Sequence, residues 1–515
     1  MSILRYEVEI PAHDHKQITY WIDEQIWGHR VLDSQSPWLI FLEFLGIVES
    51  SNRAGSLLDE KGKFYPLMFY PHQRMFLRNI LYNNQIMPYV LDKFPDSNRA
   101  WREWQSWMKQ NARGVIDSDF SYLSKRFSTF EEFSKLVQML RSATVESDSN
   151  RRWSSRFIFP FGDKCLYEDV GITAQGKPVR EYNNFGRSGE LVYLMLCRSK
   201  SANLLKPFLS AMVTNSNPWN VLVSRLQDES HADTSTRGQS YLPYKSHPAF
   251  DLLGEDLLHL LQLELPGFDS YAHITLMISL HLMLYQLKTA SQIVGGPEPA
   301  LICEVVAPRK TLVRELSIHR YQQNSQLSTS AISVLIDSIA NSEEWNQAKL
   351  ATDAYPRCKD ILIREFKWPR EPDDYDGAHD PDALIRTLKT RSMERHRQSF
   401  GNVHRTYGRA VGLISKRGTN KLRYAPNDAL LKALILTNVK DRLEFKLFLE
   451  RLYDRYGIVL GEREAKRTMA DDDFDIKAFQ SNAGRLEQRL SSLGMLKRLS
   501  DACAYVLNPY SEQSR

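Results

Sequence analysis

The chain has 515 residues, 42% hydrophobic, 11% aromatic and 25% charged, a balance that excludes a disordered tail protein and allows roughly two to four cored domains. Lys and Arg number 67 against 62 Asp and Glu, so the net charge of +5 excludes any argument from bulk charge and shifts attention to its distribution. The five cysteines (Cys165, Cys197, Cys303, Cys358, Cys503) show no C-x-x-C spacing and sit in mostly apolar surroundings, which excludes a disulfide framework and predicts reduced thiols in a cytoplasmic protein.

Met1 to Ile10 alternates polar and apolar residues and carries acids, which predicts a short strand (Tyr6, Val8, Ile10) and no signal peptide. An aromatic segment follows, with Trp21, Trp27, Trp38, Phe41 and Phe44. Pro37 to Leu45 fits a buried helix opened by proline in its first turn. Between 70 and 140, Phe76, Leu77, Ile80 and Leu81 recur at helical spacing. Trp101, Trp104 and Trp107 share one helical face; such a stripe can stack bases, but core packing is the expectation. Residues 144–155 read as a loop. Arg156 to Gly162 and the breaks at Gly171, Gly176 and Pro178 predict a small strand-containing insertion over 151–190.

Helical spacing resumes over 190–215, and 227–245 reads as a loop. A helical hairpin is predicted from Leu252 to Leu263 and Tyr271 to Leu287, broken at Pro266-Gly267. Its second arm carries the longest apolar stretch, Ala272 to Leu287, which is shorter than the ~20 residues that span a bilayer, so no membrane segment is expected. Ala300 to Ala307 is a strand candidate, and helices run on to about Ile363. Trp368 to Pro381, with Pro369, Pro372, Asp373, Asp374, Asp376 and Asp380, reads as an acidic linker.

The sign of charge then flips. Arg386, Lys389, Arg391, Arg395, Arg397, Arg405, Arg409, Lys416, Arg417, Lys421 and Arg423 are interrupted by Glu394 alone among acids. A solvated face normally mixes both signs, so the run points to a polyanion, which the arginine fork suits. Docking on an acidic partner protein, or on the chain's own acidic loop, is the alternative. Asn427-Asp428 caps a helix with the stripe Leu430, Leu431, Leu434 and Ile435. A second helix runs from about Leu443 to a left-handed cap at Gly457, followed by extended Ile458-Val459-Leu460. After Asp471–Asp473, a third helix from about Asp475 to Leu493 buries Phe479, Leu486, Leu490 and Leu493. Met495 to Leu507 suits a hairpin. Three helices and a hairpin follow the winged-helix order. The third helix would then read base edges with Asn482, Arg485, Gln488 and Arg489, and the wing would carry Lys497, Arg498 and Ser500.

No constellation for catalysis stands out. P-loop, G-x-S-x-G and H-E-x-x-H patterns are missing, and no cofactor or metal is expected. His13-Asp14-His15 has no further ligands nearby in sequence, and His273 and His281 read as satisfied core histidines. Glu304 is a candidate nuclease acid on its strand. The lysine expected two residues on is Val306, and the competing expectation is an acid paired with a nearby arginine.

Trp27-Gly28-His29-Arg30, Phe159-Pro160-Phe161-Gly162, Arg455-Tyr456-Gly457-Ile458-Val459 and Leu499-Ser500-Asp501-Ala502 resemble segments of bacterial winged-helix proteins encoded in anti-phage defence islands, which include modification-dependent restriction systems. The resemblance implies a DNA-binding or scaffolding component working beside an ATPase, methyltransferase or nuclease, and it transfers no catalytic residue. The expected fold is mainly α. It comprises a helical region over 1–150, a mixed, mainly helical region over 151–367, an acidic linker over 368–382, a basic segment over 383–424 and a winged helix over 425–515. The expected partner is double-stranded DNA, gripped without catalysis. A protein adaptor is the alternative, and a cryptic metal-dependent nuclease the third reading.

Overall fold

A computed structural model describes residues 21–60, 76–112, 119–142, 187–227, 241–369, 377–416, 421–469 and 474–511, with breaks at 30, 32–34, 78, 82–85, 215–217, 266, 399 and 501–502, and the strands at 65–69, 170–172, 178–180 and 235–240. The expectations for residues 1–20, 144–155 and 156–162, for Pro372, Asp373, Asp374 and Asp376 of the acidic linker, for Arg417 and for Asp471–Asp473 lie outside the described residues.

The protein is mainly helical, as its hydrophobic periodicity implies. Helix α1 (Trp21–Trp27) leads to α2 (Pro37–Arg53), where the Ser36 side chain caps the Leu39 N–H and Pro37 sets the first turn. Strand β1 (Tyr65–Phe69) follows. Helices α3 (Met87–Lys93), α4 (Ser97–Asn111), α5 (Ser121–Arg126) and α6 (Phe130–Ser142) then form a satellite lobe with its own core. Trp101 and Trp104 lie inside that core against Phe130 and Phe133, so the tryptophan stripe is packing. Strands β2 (Val170–Ile172) and β3 (Pro178–Arg180) pair antiparallel, consistent with the strand-containing insertion.

The chain continues with α7 (Ser188–Cys197), α8 (Ala202–Thr214), α9 (Pro218–Ser224), whose Val223 joins the satellite core, β4 (Ser235–Ser240, paired with β1), α10 (Pro248–Gln262) and α11 (Gly267–Val294). Helix α11 is central and packs on α2, α10 and the helices that follow. It buries Thr275, Ser279, His281 and Gln286 among its leucines, which is why its length does not make it a membrane span. Among the described residues no helix is long and apolar enough to cross a membrane. Where α2 meets α7, the buried Glu43 accepts from the Gly189 N–H at 2.9 Å. A Cβ on Gly189 would lie 2.6 Å from Glu43 Cγ, so only glycine permits this approach.

Strand β5 (Leu301–Ile302) is shorter than the expected Ala300 to Ala307, because only these two residues find a ladder partner. Then come α12 (Leu312–Ala340), α13 (Glu343–Lys349), α14 (Ala354–Phe366), α15 (Pro381–Gln398), a 3-10 turn at Phe400–Asn402 and α16 (Val403–Ala410). The acidic stretch does not begin as a free linker, since Trp368 is buried and its N–H reaches Leu362 O. His396 pins the end of α15 through Asp23 and Ser328, both at 2.8 Å.

The tail adds β6 (Ile414–Ser415), β7 (Arg423–Tyr424), α17 (Asp428–Asn438), β8 (Arg442–Glu444), α18 (Phe445–Tyr456), β9 (Ile458–Val459), α19 (Glu462–Thr468), α20 (Ile476–Ser492), β10 (Leu496–Ser500) and β11 (Cys503–Leu507). Asn427 caps α17, and Gly457 ends α18 at φ +72, both as the residue types dictate. Strands β10, β11 and β8 form one antiparallel sheet in that order. Strand β9 instead pairs in parallel with β5, 157 residues upstream by register Leu301↔Ile458. A single apolar cluster runs from Ile22 to Val506. The expected boundary at 424/425 falls inside it: Tyr424 and Ala425 are buried, and the Ala425 N–H bonds Leu413 O at 2.8 Å.

Candidate nucleic-acid interface

The basic segment folds into α15, α16 and the β6–β7 hairpin, and burial sorts its cations into two groups. Helix α16 buries Val403, His404, Tyr407 and Gly408. Arg405 and Arg409, four residues apart, therefore share the outward face. A Cβ on Gly408 would lie 2.3 Å from Ile414 Cδ1, so the glycine lets the hairpin close on α16. The exposed Lys416 directly follows β6 and the exposed Lys421 comes shortly before β7, both on the segment that connects the two strands. Tyr321 of α12 stacks on His404 with ring centroids 5.1 Å apart. Burial raises the Tyr321 phenol pKa while the charges of Arg405 and Arg409 lower it, which places both guanidiniums near this ring.

Arg397, Arg405, Arg409, Lys416 and Lys421 are exposed and have no ion-pair partner among the described residues. Their neighbours differ. Arg386 pairs with Asp380 at 3.7 Å and Lys389 with Asp337 at 2.8 Å. Arg391 and Arg395 are half-buried and engaged within the fold. Arg423, expected on the DNA face, is 1% exposed and donates Nε to the buried Glu304. It is withdrawn from that face by its burial.

The expected base-reading helix is corrected more strongly. Asn482 is fully buried; it accepts from the Val305 N–H at 2.8 Å and donates to Cys303 O and Leu460 O at 3.0 Å. Arg485 donates to Val305 O at 3.2 Å and to Ser481 Oγ at 2.8 Å. Arg489 holds Asp428 at 2.6 Å and Pro426 O at 3.1 Å. Among the four, Gln488 alone is exposed, on the outward face that also carries Lys477, Gln480 and Ser481. The cause is the segment around β5, which covers the α20 face that spacing within α20 leaves polar. Lys497 is exposed, and Arg498 faces Glu487 at 3.3 Å.

Glu304 has Arg314 Nε on one oxygen at 2.8 Å and Arg423 Nε on the other, the arrangement of the competing expectation, an acid paired with a nearby arginine. No group of three metal-ligating side chains occurs among the described residues. Sequence reasoning missed a buried cluster on α10, α11 and α18. Asp256 accepts from His281 Nε2 and the Tyr456 hydroxyl, both at 2.7 Å, and from Arg455. Burial pushes the Asp256 carboxyl up, but His281, Arg455 and Tyr456 outweigh it and hold it below the ordinary aspartate range. With 200 residues between Asp256 and Tyr456, no local spacing signals this cluster.

Comparison with protein-family models, curated proteins and solved structures finds no match to this chain. The functional reading therefore rests on the geometry.

Proposed function

We propose that this chain is a non-enzymatic component that holds double-stranded DNA on the face built by α16 and the β6–β7 hairpin. The observation that carries the reading is the set Arg397, Arg405, Arg409, Lys416 and Lys421, exposed and without an ion-pair partner among the described residues. Each such cation that meets a phosphate releases counterions, so binding falls steeply with salt. The order α17, β8, α18, α20, β10, β11, with its β10–β11–β8 sheet, supports a winged helix for the tail. Membership of a bacterial defence complex, beside an ATPase, methyltransferase or nuclease, rests on the resemblance of the segments at 27–30, 159–162, 455–459 and 499–502. A cytoplasmic setting is supported by the free thiols of Cys197, Cys303, Cys358 and Cys503.

Fluorescence anisotropy with a 5′-hydroxyl duplex of about 25 base pairs tests the reading. Affinity is expected to fall about 10²-fold between 50 and 200 mM salt, for four to five phosphate contacts. The pair Arg405→Glu, Arg409→Glu should weaken binding at least tenfold and flatten the salt slope by about two. Absence of binding at low salt, or affinity untouched by the reversal, refutes it.

One observation favours the adaptor reading for the tail itself: Asn482, Arg485 and Arg489 are engaged within the protein, leaving α20 fewer groups for base edges. If the reversed variant loses a co-purifying protein and the native chain ignores DNA, the adaptor reading replaces the first.

A further inference from the structure

Base sequence is read by side chains that reach base edges, whereas contacts to phosphate only position a protein on the duplex. Helix α20 holds the place of the reading helix in the winged-helix order, but Asn482, Arg485 and Arg489 give their polar groups to Cys303 O, Val305 O and Asp428. The stretch from Arg397 to Lys421, which carries the exposed cations, offers little to read with either. Its sequence holds no Asp or Glu. The side-chain amides among its described residues are Gln398 and Asn402, and Asn402 donates Nδ2 to Arg397 O at 2.7 Å. The Tyr407 hydroxyl meets Ser188 Oγ at 3.1 Å in the interior, and His404 is buried.

Arginine can still read a guanine edge with its fork, provided that the element carrying it enters the groove. Two observations hold Arg405 and Arg409 back. The hairpin packs on α16 at Gly408, so a second piece of backbone flanks the helix. Both guanidiniums also act on the Tyr321 phenol, which is 7% exposed on α12, so the forks lie low over the protein instead of standing out from it. A low, donor-only surface matches a row of phosphates and not the floor of a groove.

We propose, resting on the DNA-binding reading of this face, that it holds the duplex by its phosphates alone and reads no base sequence. What the face recognises is then the spacing and charge of the backbone, and every duplex of one length is an equal ligand.

The test uses the full chain and a pool of duplexes of about 25 base pairs, randomised at the central positions, at low salt. Sequencing of the bound fraction should return the composition of the input. A face that reads bases would instead discriminate by about fivefold or more per base pair. Single duplexes drawn from the pool should bind within about twofold of one another, and Arg405→Ala should weaken all of them by the same factor and lower each salt slope by about one. Gln398→Ala, which removes the exposed amide, should change none of these values. Enrichment of a motif, or an Arg405→Ala loss confined to some duplexes, overturns the proposal while leaving DNA binding in place. A flat pool whose affinity Arg405→Ala does not touch moves the grip off this face and overturns it too. No binding of any duplex at low salt removes the DNA reading itself, and sequence-blind binding falls with it.

Discussion

Lowering the pH from 6.5 to 4.5 is expected to remove most of the folding stability of this chain. Three buried histidines are held as neutral rings, two of them by the bonds they accept. His29 Nδ1 accepts from the Tyr241 N–H at 2.7 Å, and His247 Nδ1 from the Ala249 N–H at 3.1 Å. His404 Nε2 shares a hydrogen bond of 2.8 Å with the Tyr424 hydroxyl, which also accepts from Asn324, and among the described residues no carboxylate is bonded to the ring to favour its charge. A protonated ring cannot accept, and burial opposes its charge. Burial, and after it the charge of Arg187, lowers the His29 pKa from 6.5 to about 4 against a smaller raising effect of Glu190. Burial lowers that of His247 to about 4 and that of His404 to about 3. Folded values below the unfolded one mean that the unfolded chain binds more protons. The contribution is therefore complete above pH 6.5 and is lost as pH falls toward 4. Between pH 6.5 and 4.5 each ring costs about 2 kcal/mol, so the three together remove on the order of 6 kcal/mol, comparable with the ~5–15 kcal/mol of a whole domain. Urea midpoints across pH 4.5–7 check this, and a flat profile contradicts it. His404→Gln, which keeps an acceptor for Tyr424 but cannot titrate, should reduce the slope by about a third.

Replacing Glu304 by Gln should destabilise the protein by about 3–5 kcal/mol, because two guanidiniums would be left in the interior without their counter-charge. Arg423 is 1% exposed, so water cannot take over the role of the carboxylate. Adding Arg423→Met in the same chain removes one stranded charge and should restore part of the loss. Denaturant midpoints for the single and double variants form the test. A Glu304→Gln protein as stable as the native one would show that the acid does not hold this junction. If that stable variant had also lost a metal-dependent DNA cleavage, the nuclease reading would revive.

Where the physics is local, the residues announced the structure. Ser36-Pro37 and Asn427 mark helix starts, Gly457 a helix end, and the tryptophan spacing a packed face. The charge flip after residue 381 located the five exposed cations. What the chain hides is which polar residues a distant segment will cover. Asn482 and Arg485 occupy the positions of a reading helix, yet the backbone of Cys303 and Val305, about 180 positions away in sequence, claims them. Helix α19 and strand β8 are too short to carry a period of their own. The Asp256 cluster consists of ordinary residue types that only the tertiary fold brings together.

The parallel pairing of β9 with β5 has a mechanical consequence. Leu301 donates to Gly457 O at 2.7 Å and Cys303 to Val459 O at 2.9 Å, while Asn482 ties both strands to α20. The last hundred residues are thus spliced into the body's own floor and cannot swivel as a head on a neck. Whatever docks on that tail would meet the body at one fixed angle, like work held in a vice. The excised tail, stripped of that floor, would bare leucines and fail as a stand-alone fragment, so surgical dissection should proceed by surface charge and not by scissors.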